Sequence, residues 1–420
     1  MGINSLLGVF VPHGNQEKFL FVTGLEQSQV DAPLAKRLQF LPKGSPSVHL
    51  DALRGFAAFG VLLTHWRDAF FADFPPIRQH NALVAGAYAF AELGHQWVII
   101  FFVLSGYLVG GSVLRSVGSG KWAWREYLLR RLTRLYIVLL PALLIGGALD
   151  WSGSHLANAG AIYSGRSGMY SLTFDVHSRL TAPVFAANGL FLQGMALRGF
   201  GGKVPTFGSN GPLWSLSNEF WYYLAFPLAV LLLAKGRSLW LRIICGLGLA
   251  LWAIFVSSDI LLLGIPWLMG SFIGYLPAVP LRRPWTRRLV IAAVSAALGG
   301  ALVLGRYSDH TGLTDMLIGV VATALVWITV HCATAPLPLV YVKLANRAAR
   351  SSYTLYLTHL PFLVFLKASL QLPRAVPNWH ACLVSAGLLA VTLLYSQLVY
   401  ELFEKNTDGL RNWIERHAIH

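Results

Sequence analysis

Charge is what this sequence has least of. Asp, Glu, Lys and Arg make up 12% of its 420 residues, about half the ~25% usual in a globular chain. A soluble protein of this length needs far more polar surface, so that class is excluded. Acidic residues are scarcest, 18 against 33 Lys and Arg, which leaves a net charge of +15. The basic residues do not form one patch of the kind a nucleic-acid partner requires. They are divided among short segments between apolar runs, the pattern of the positive-inside rule, and no nucleic-acid partner is expected. Cysteine is also rare. Cys245, Cys332 and Cys382 lie in apolar segments without metal-ligand spacing, so they read as packing residues and no metal site is expected. Residues 1–12 have no basic n-region, and no cleavable signal peptide is expected there. No internal repeat is evident.

What the chain does have is apolar length. It is 55% hydrophobic with a mean hydropathy of +0.56, which implies an all-α, polytopic membrane helix bundle. Residues 1–47 read as a flexible cytoplasmic tail, 48–405 as the transmembrane domain and 406–420 as a cytoplasmic C-terminal tail. Ten spans are expected, at about 50–66, 88–114, 132–149, 213–234, 239–256, 259–277, 289–305, 312–333, 350–370 and 380–402. A further apolar stretch, Ala182–Leu197, is short and broken by Asn188, Gly189, Gln193 and Gly194. If it crossed, Lys235, Arg237, Arg242 and the cluster Arg282, Arg283, Arg287, Arg288 would fall outside. If it is re-entrant or interfacial, every later basic loop falls inside with both termini. The second arrangement is expected, with residues 150–212 forming an outward or re-entrant element. Irregular backbone at that depth needs protein or a water-filled cavity around it, so this element is a candidate wall of a binding site.

The first span, Leu50–Trp66, carries Arg54 and His65 eleven residues apart. On a helix they lie ~16 Å apart and on nearly the same face. Two interfacial snorkellers are the plain reading of such a pair, and an intramembrane functional site is the other. In the second span, Phe101 and Phe102 read as lipid- or core-facing. Ser105-Gly106 and Gly110-Gly111 allow close helix approach, or Ser105 and Gly106 leave room for a thin acyl or pantetheine chain. Between Lys121 and Tyr136, Arg130 and Arg134 share a helix face and Arg131 neighbours Arg134. That segment suits either a positive-inside anchor or a docking site for a phosphorylated cofactor. In Gly211–Tyr223, Ser215 or Ser217 is placed to cap a helix with Glu219 in its first turns. The same residues with Trp214 also have the makings of a sugar-binding cleft, with His65 at similar depth. Ser352, Tyr356 and His359 form a polar stripe at helical spacing, which turns to the bundle interior. Glu404 is expected to partner a cytoplasmic arginine.

Taken in order, these motifs resemble the acyltransferase-3 family of integral-membrane O-acyltransferases. Leu50, Asp51, Leu53, Arg54 and Gly55 with His65 match the first-span pattern of Arg, ten residues, His. Phe101 to Leu108 match the second-span signature, and Arg131 and Arg134 match the R-x-x-R motif. Trp214, Ser215, Leu216 and Glu219 match W-S-L-x-x-E. Ser352, Tyr353, Tyr356 and His359 match S-Y-x-x-Y-L-x-H. The resemblance spans about residues 48–405. Asn406 stands where the family often has Pro, and no hydrolase-like domain is expected after the spans.

The resemblance implies transfer of an acyl group, most often acetyl, from cytoplasmic acyl-CoA to a hydroxyl. The acceptor would be a cell-surface or lipid-linked carbohydrate such as exopolysaccharide, lipopolysaccharide or a lipid-linked oligosaccharide. His65 is expected as general base. Glu219 would orient it or hold the sugar, and Arg54 would position the donor or stabilise the oxyanion. Arg130, Arg131 and Arg134 are expected on the CoA phosphates, and Ser105 beside the acyl arm. Trp214, Ser215, Ser217, Tyr356 and His359 are expected to line the acceptor site. Acyl-CoA is a co-substrate here, with no tightly bound cofactor, and membrane lipid is the remaining partner. The expected location is the bacterial inner membrane. The competing class is a transporter or flippase of a lipid-linked sugar, for which the absence of an inverted repeat is unfavourable.

Overall fold

The computed structural model describes residues 44–74, 82–197, 200, 202–278, 281, 283–306, 312–333 and 335–417. Most of the tail expected over 1–47, together with Arg282, lies outside the described residues. The helices are α1 (Ser45–Phe70), α2 (Ala82–Ala91), α3 (Gly94–Gly118, with a π turn at Gly106–Gly110), α4 (Trp124–Ser154), α5 (Ala182–Gly189) and α6 (Leu213–Leu233). They continue as α7 (Leu239–Phe255), α8 (Ser258–Ser271), α9 (Pro284–Arg306), α10 (Gly312–Cys332), α11 (Leu339–Leu370), α12 (Trp379–Leu402) and α13 (Thr407–His417).

A helix forms at each of the ten expected spans. Among the described residues, seven stretches are long and apolar enough to cross a membrane: α3, α4, α6, Ser258–Tyr275, α9, α10 and Trp379–His417. The others differ for physical reasons. α7 is apolar but has only 17 residues. α1 and α11 have the length, with 26 and 32 residues, but carry too many polar side chains. Their place in the bundle makes this tolerable. α1 packs along α11 and α3, so its polar residues turn toward protein rather than lipid. The approach is close because the facing residues are small. Gly55 sits against Ala348 and Gly60 against the Trp97 ring, where a Cβ would collide. α3 and α8 cross in the same way, with Gly106 against the Trp267 carbonyl and Gly270 against the Val103 carbonyl.

Side-chain contacts establish which helix ends lie together. At one end Lys367 of α11 donates to the Ala69 carbonyl of α1 (2.7 Å). There, too, Arg306 of α9 meets Glu92 just before α3 (2.6 Å), and Lys203 meets Asp259 at the start of α8 (2.5 Å). At the other end Glu404, after α12, accepts from the Thr354 amide and hydroxyl of α11 (3.1 and 2.5 Å). Tyr353 donates to the Leu135 carbonyl of α4 (3.2 Å). Glu404 therefore holds the α11 backbone and also interacts with the charges of Arg134 and Arg54, in keeping with the arginine partner expected for it.

Ala182–Leu197 is not a span. Its helical part, α5, has eight residues, about 12 Å against a ~30 Å membrane core. Its polar residues are used locally. The fully buried Asn188 amide donates to the Val184 and Pro205 carbonyls (2.9 Å each) and accepts from the Phe207 amide (3.1 Å). Ala196–Leu197 then pairs with Gly202–Lys203 in a short antiparallel hairpin. Two buried carboxylates fasten the rest of this element. Asp150 accepts from the Ser209 amide and hydroxyl (2.7 and 2.8 Å). Asp68 accepts from the Tyr170 and Ser171 amides (3.0 and 2.8 Å) and the Ser171 hydroxyl (2.5 Å). Burying a carboxylate is costly unless donors surround it, as here. The C-terminal segment, expected as a tail, is helical over Thr407–His417.

Candidate functional site

Two cavities lie one behind the other along α1. The first has about 910 Å³ of atom-free space and is lined by Arg54, Arg131, Arg134 and Glu219 on largely apolar walls from α3. The second has about 1910 Å³ and is lined by His65, Arg67, Glu92, His95 and Trp214. Part of its wall comes from residues 165–173 and 211–212, so the element between α4 and α6 does enclose a cavity. Val98 and Tyr356 line both spaces. α1, α3, α6 and α11 each run past both, and α1 presents Arg54 to the first and His65 to the second.

The first cavity has three arginines against one carboxylate among its lining residues. Arg54 pairs with Asp51 (2.9 Å), and Arg131 lies 5.7 and 5.9 Å from the Tyr127 and Tyr223 ring centroids, within cation–π range. The Nε atoms of Arg54 and Arg131 are buried without a hydrogen-bond partner among the described residues. Buried donors in that state are uncommon and call for an acceptor. Glu219 accepts from the Ser105 hydroxyl (2.6 Å) and from the Tyr223 hydroxyl. Trp267 Nε1 donates to Ser105 Oγ (3.2 Å), which holds that hydroxyl toward the carboxylate.

In the second cavity charge is largely balanced. Arg67 meets Asp73 (3.3 Å) and Glu92 (3.9 Å), and Arg306 meets Glu92 (2.6 Å). Arg374 meets Asp73 (2.6 Å), and its hydrogen bond holds the Asp73 carboxyl below the ordinary value. His95 Nε2 lies 3.0 Å from both Asp315 carboxylate oxygens, and its ring stacks on Trp214 with centroids 5.9 Å apart. His65 Nδ1 is 2.9 Å from His359 Nε2. Tyr356, between the cavities, shares a 2.8 Å hydrogen bond with Ser215 Oγ.

A family profile described as an acyltransferase domain matches residues 48–398, from the first turn of α1 into α12. The chain belongs to the acyltransferase-3 family. It is also 30% identical over 217 residues to acyltransferase MdmB of Streptomyces mycarofaciens. That match covers 50% of this chain and 46% of the relative, so the chain spans about half the length of the curated relative it matches. No solved structure matches the chain. With its apolar helices, membership of this family makes the chain an integral membrane protein.

The family motifs divide between the cavities. Arg54, Ser105, Arg131, Arg134, Ser215 and Glu219 line the first, His65 and Trp214 line the second, and Tyr356 lines both. Glu219 was expected beside His65, and the structure separates them. It lies nearly two turns into α6, on the arginine side, and the partner of His65 is His359. Arg130 was expected with Arg131 and Arg134. It points outward to Glu126 (3.2 Å), with its side chain 54% exposed: the edge of α4 at the cavity runs between Arg131 and Arg134, and Arg130 lies beyond Arg134, ~100° round the helix from Arg131. Ser217 was expected at the acceptor site but is fully buried and donates to the Phe191 carbonyl (2.7 Å). His359 is also fully buried, behind His65 rather than on a cavity wall. Gly106 serves the α3–α8 crossing, leaving Ser105 as the cavity residue of that pair. Phe101 and Phe102, read as lipid- or core-facing, line the first cavity, and Cys382, read as packing, is exposed. The Asp315–His95 pair and the Arg67, Asp73, Glu92 and Arg306 network were not anticipated. The available signals were an acid within the apolar run of α10 and charges placed just beyond span ends.

Proposed function

We propose that the protein is a membrane O-acyltransferase that moves an acyl group, acetyl by preference, from acyl-CoA to a hydroxyl of a cell-surface or lipid-linked carbohydrate. The observation that carries this reading is that one helix serves two adjoining cavities of opposite character, with Arg54 in one and His65 in the other. Three arginines, two of them (Arg54 and Arg131) with a buried, unpartnered Nε among the described residues, suit the phosphates of CoA. The apolar walls of the same cavity suit its pantetheine arm and acyl group. The second cavity, with balanced charges and Trp214, suits a neutral polyhydroxyl compound.

The acceptor hydroxyl gives its proton to the His65 imidazole as its oxygen attacks the thioester carbonyl. The tetrahedral intermediate collapses with cleavage of the C–S bond. The thiolate takes back one proton from the imidazolium, so the products are an O-ester and free CoA. Basic residues concentrate at the arginine-cavity end, among them Arg115, Lys121, Arg125, Lys235 and Lys343. We therefore orient that end and both termini to the cytoplasm of a bacterial inner membrane.

Purified protein with labelled acetyl-CoA and a glycan acceptor should release CoA and label the glycan. His65→Ala should lower that rate by about 10²–10⁴. Full activity in His65→Ala, or no CoA release from the unaltered protein with any glycan or small hydroxylated acceptor, overturns the reading. A reporter fused near Lys235 that signals from outside overturns the orientation.

A further inference from the structure

His359 is a second histidine in a membrane helix, and its burial leaves it no access to substrate. Its own hydrogen bonds constrain what it does to its neighbour. A neutral imidazole carries one N–H and one lone pair. His359 Nδ1 lies 2.8 Å from the Leu355 carbonyl oxygen, and a carbonyl only accepts, so the proton of His359 is on Nδ1. Its Nε2 is then the acceptor. That atom is 2.9 Å from His65 Nδ1, so His65 donates from Nδ1, and its lone pair is on Nε2. The His65 Nδ1 edge faces a fully buried residue, which leaves Nε2 as the nitrogen directed to the cavity that His65 lines.

We infer that His359 is a positioning residue: the chain from His65 Nδ1–H through His359 to the Leu355 carbonyl selects the tautomer in which His65 turns an unprotonated Nε2 toward the acceptor cavity. This rests on His65 being the base of the proposed reaction. The relay also holds the ring plane, since a rotated His65 loses its hydrogen bond to His359. Both ends of the chain are supplied by helix geometry. Leu355 and His359 are four residues apart on α11, so the carbonyl–Nδ1 contact is local. The pairing with His65 exists only because α1 and α11 pack side by side.

The test compares two substitutions. In His359→Gln the side-chain oxygen can accept from His65 and the amide can donate to Leu355, preserving the relay. In His359→Leu neither is possible. Gln is expected to retain most of kcat, whereas Leu lowers kcat by about 10- to 10²-fold. KM for acyl-CoA and for the acceptor should stay within about twofold in both variants. The direct readout is the ¹⁵N spectrum of labelled histidine, with the His65 signals assigned by their loss in His65→Ala. Unaltered protein and Gln should show His65 protonated on Nδ1, and Leu should not. A His65 proton on Nε2 in the unaltered protein overturns the inference, as does a Leu variant with full kcat. If Leu fails to fold, the spectrum of the unaltered protein and the kcat of Gln decide. The tautomer is read without turnover. A correct tautomer in a protein that transfers no acyl group counts against the proposed function, and the wrong tautomer in an active protein counts against the relay alone.

Discussion

The two cavities share walls from four helices and differ in how their charges are treated. In the first, three arginines face one lining carboxylate, and of the three Arg54 alone has an ion pair among the described residues, to Asp51. A buried Nε without a partner occurs in both cavities, on Arg54 and Arg131 in the first and on Arg67 in the second. In the second, the arginines are matched by carboxylates at 2.6–3.9 Å. A surplus of buried cation has to be met by an anion from elsewhere, whereas a balanced network already has its partners and leaves hydroxyls and rings for recognition. The difference teaches that side-chain count alone does not identify a site in a membrane protein. Arginine occurs at both ends, and its pairing distinguishes a place that awaits an anion from one that is held together by salt bridges.

The comparison can be broken most directly at the place where the cavities meet. Val98→Trp should fill the junction and lower acyl transfer by more than about 10²-fold, while acyl-CoA affinity measured by calorimetry changes little. Val98→Ala should leave transfer in place. Loss of donor binding in the tryptophan variant would show that the junction belongs to the donor cavity alone. Next in size, Arg131→Ala should raise the KM for acyl-CoA by about 10- to 10²-fold, from ~1.5–3 kcal/mol for one charged hydrogen bond, without changing the acceptor KM. Arg130→Ala should do almost nothing, since an exposed pair four residues apart contributes only ~0.3–0.5 kcal/mol.

Trp214→Ala provides the opposite contrast. It should raise the acceptor KM several-fold, in keeping with ~0.5–1.5 kcal/mol for an aromatic contact, and leave the acyl-CoA KM unchanged. The smallest effect expected is at the rim of the second cavity. Arg374 depresses the Asp73 carboxyl in the folded state, so the pair stabilises the protein above the ordinary carboxylate range. That contribution is lost as pH falls through the lowered folded value. Asp73 is half-exposed, so Asp73→Asn should cost less than about 1 kcal/mol at neutral pH. The difference in thermal midpoint from the unaltered protein should close in acid.

Much of the site was legible residue by residue. Arg54 and His65 stood out because a membrane span pays heavily for ionisable groups, and their spacing placed them on one face. The arginine motif was equally readable, apart from Arg130, whose direction depends on the rotation of α4 in the bundle. Glu219 was misplaced because its depth was judged from loop charges. Only the packing of α6 against α3 shows that its carboxylate meets Ser105 and Tyr223. The Asp315–His95 and His65–His359 pairs join residues more than 200 positions apart, beyond the reach of any local spacing rule.

By itself the sequence determined the membrane class, the helices and their alternation, because hydropathy, helix length and loop charge act locally along the chain. It also led to the expectation that Ala182–Leu197 does not cross, from the charge of the later loops, and the eight-residue helix found there is too short to span. Tertiary structure alone decided that the polar residues sort into two cavities, which arginines are balanced, and which nitrogen of His65 is left to act. Those are properties of neighbours, and in a helix bundle the neighbours of a side chain are set by how helices cross and rotate.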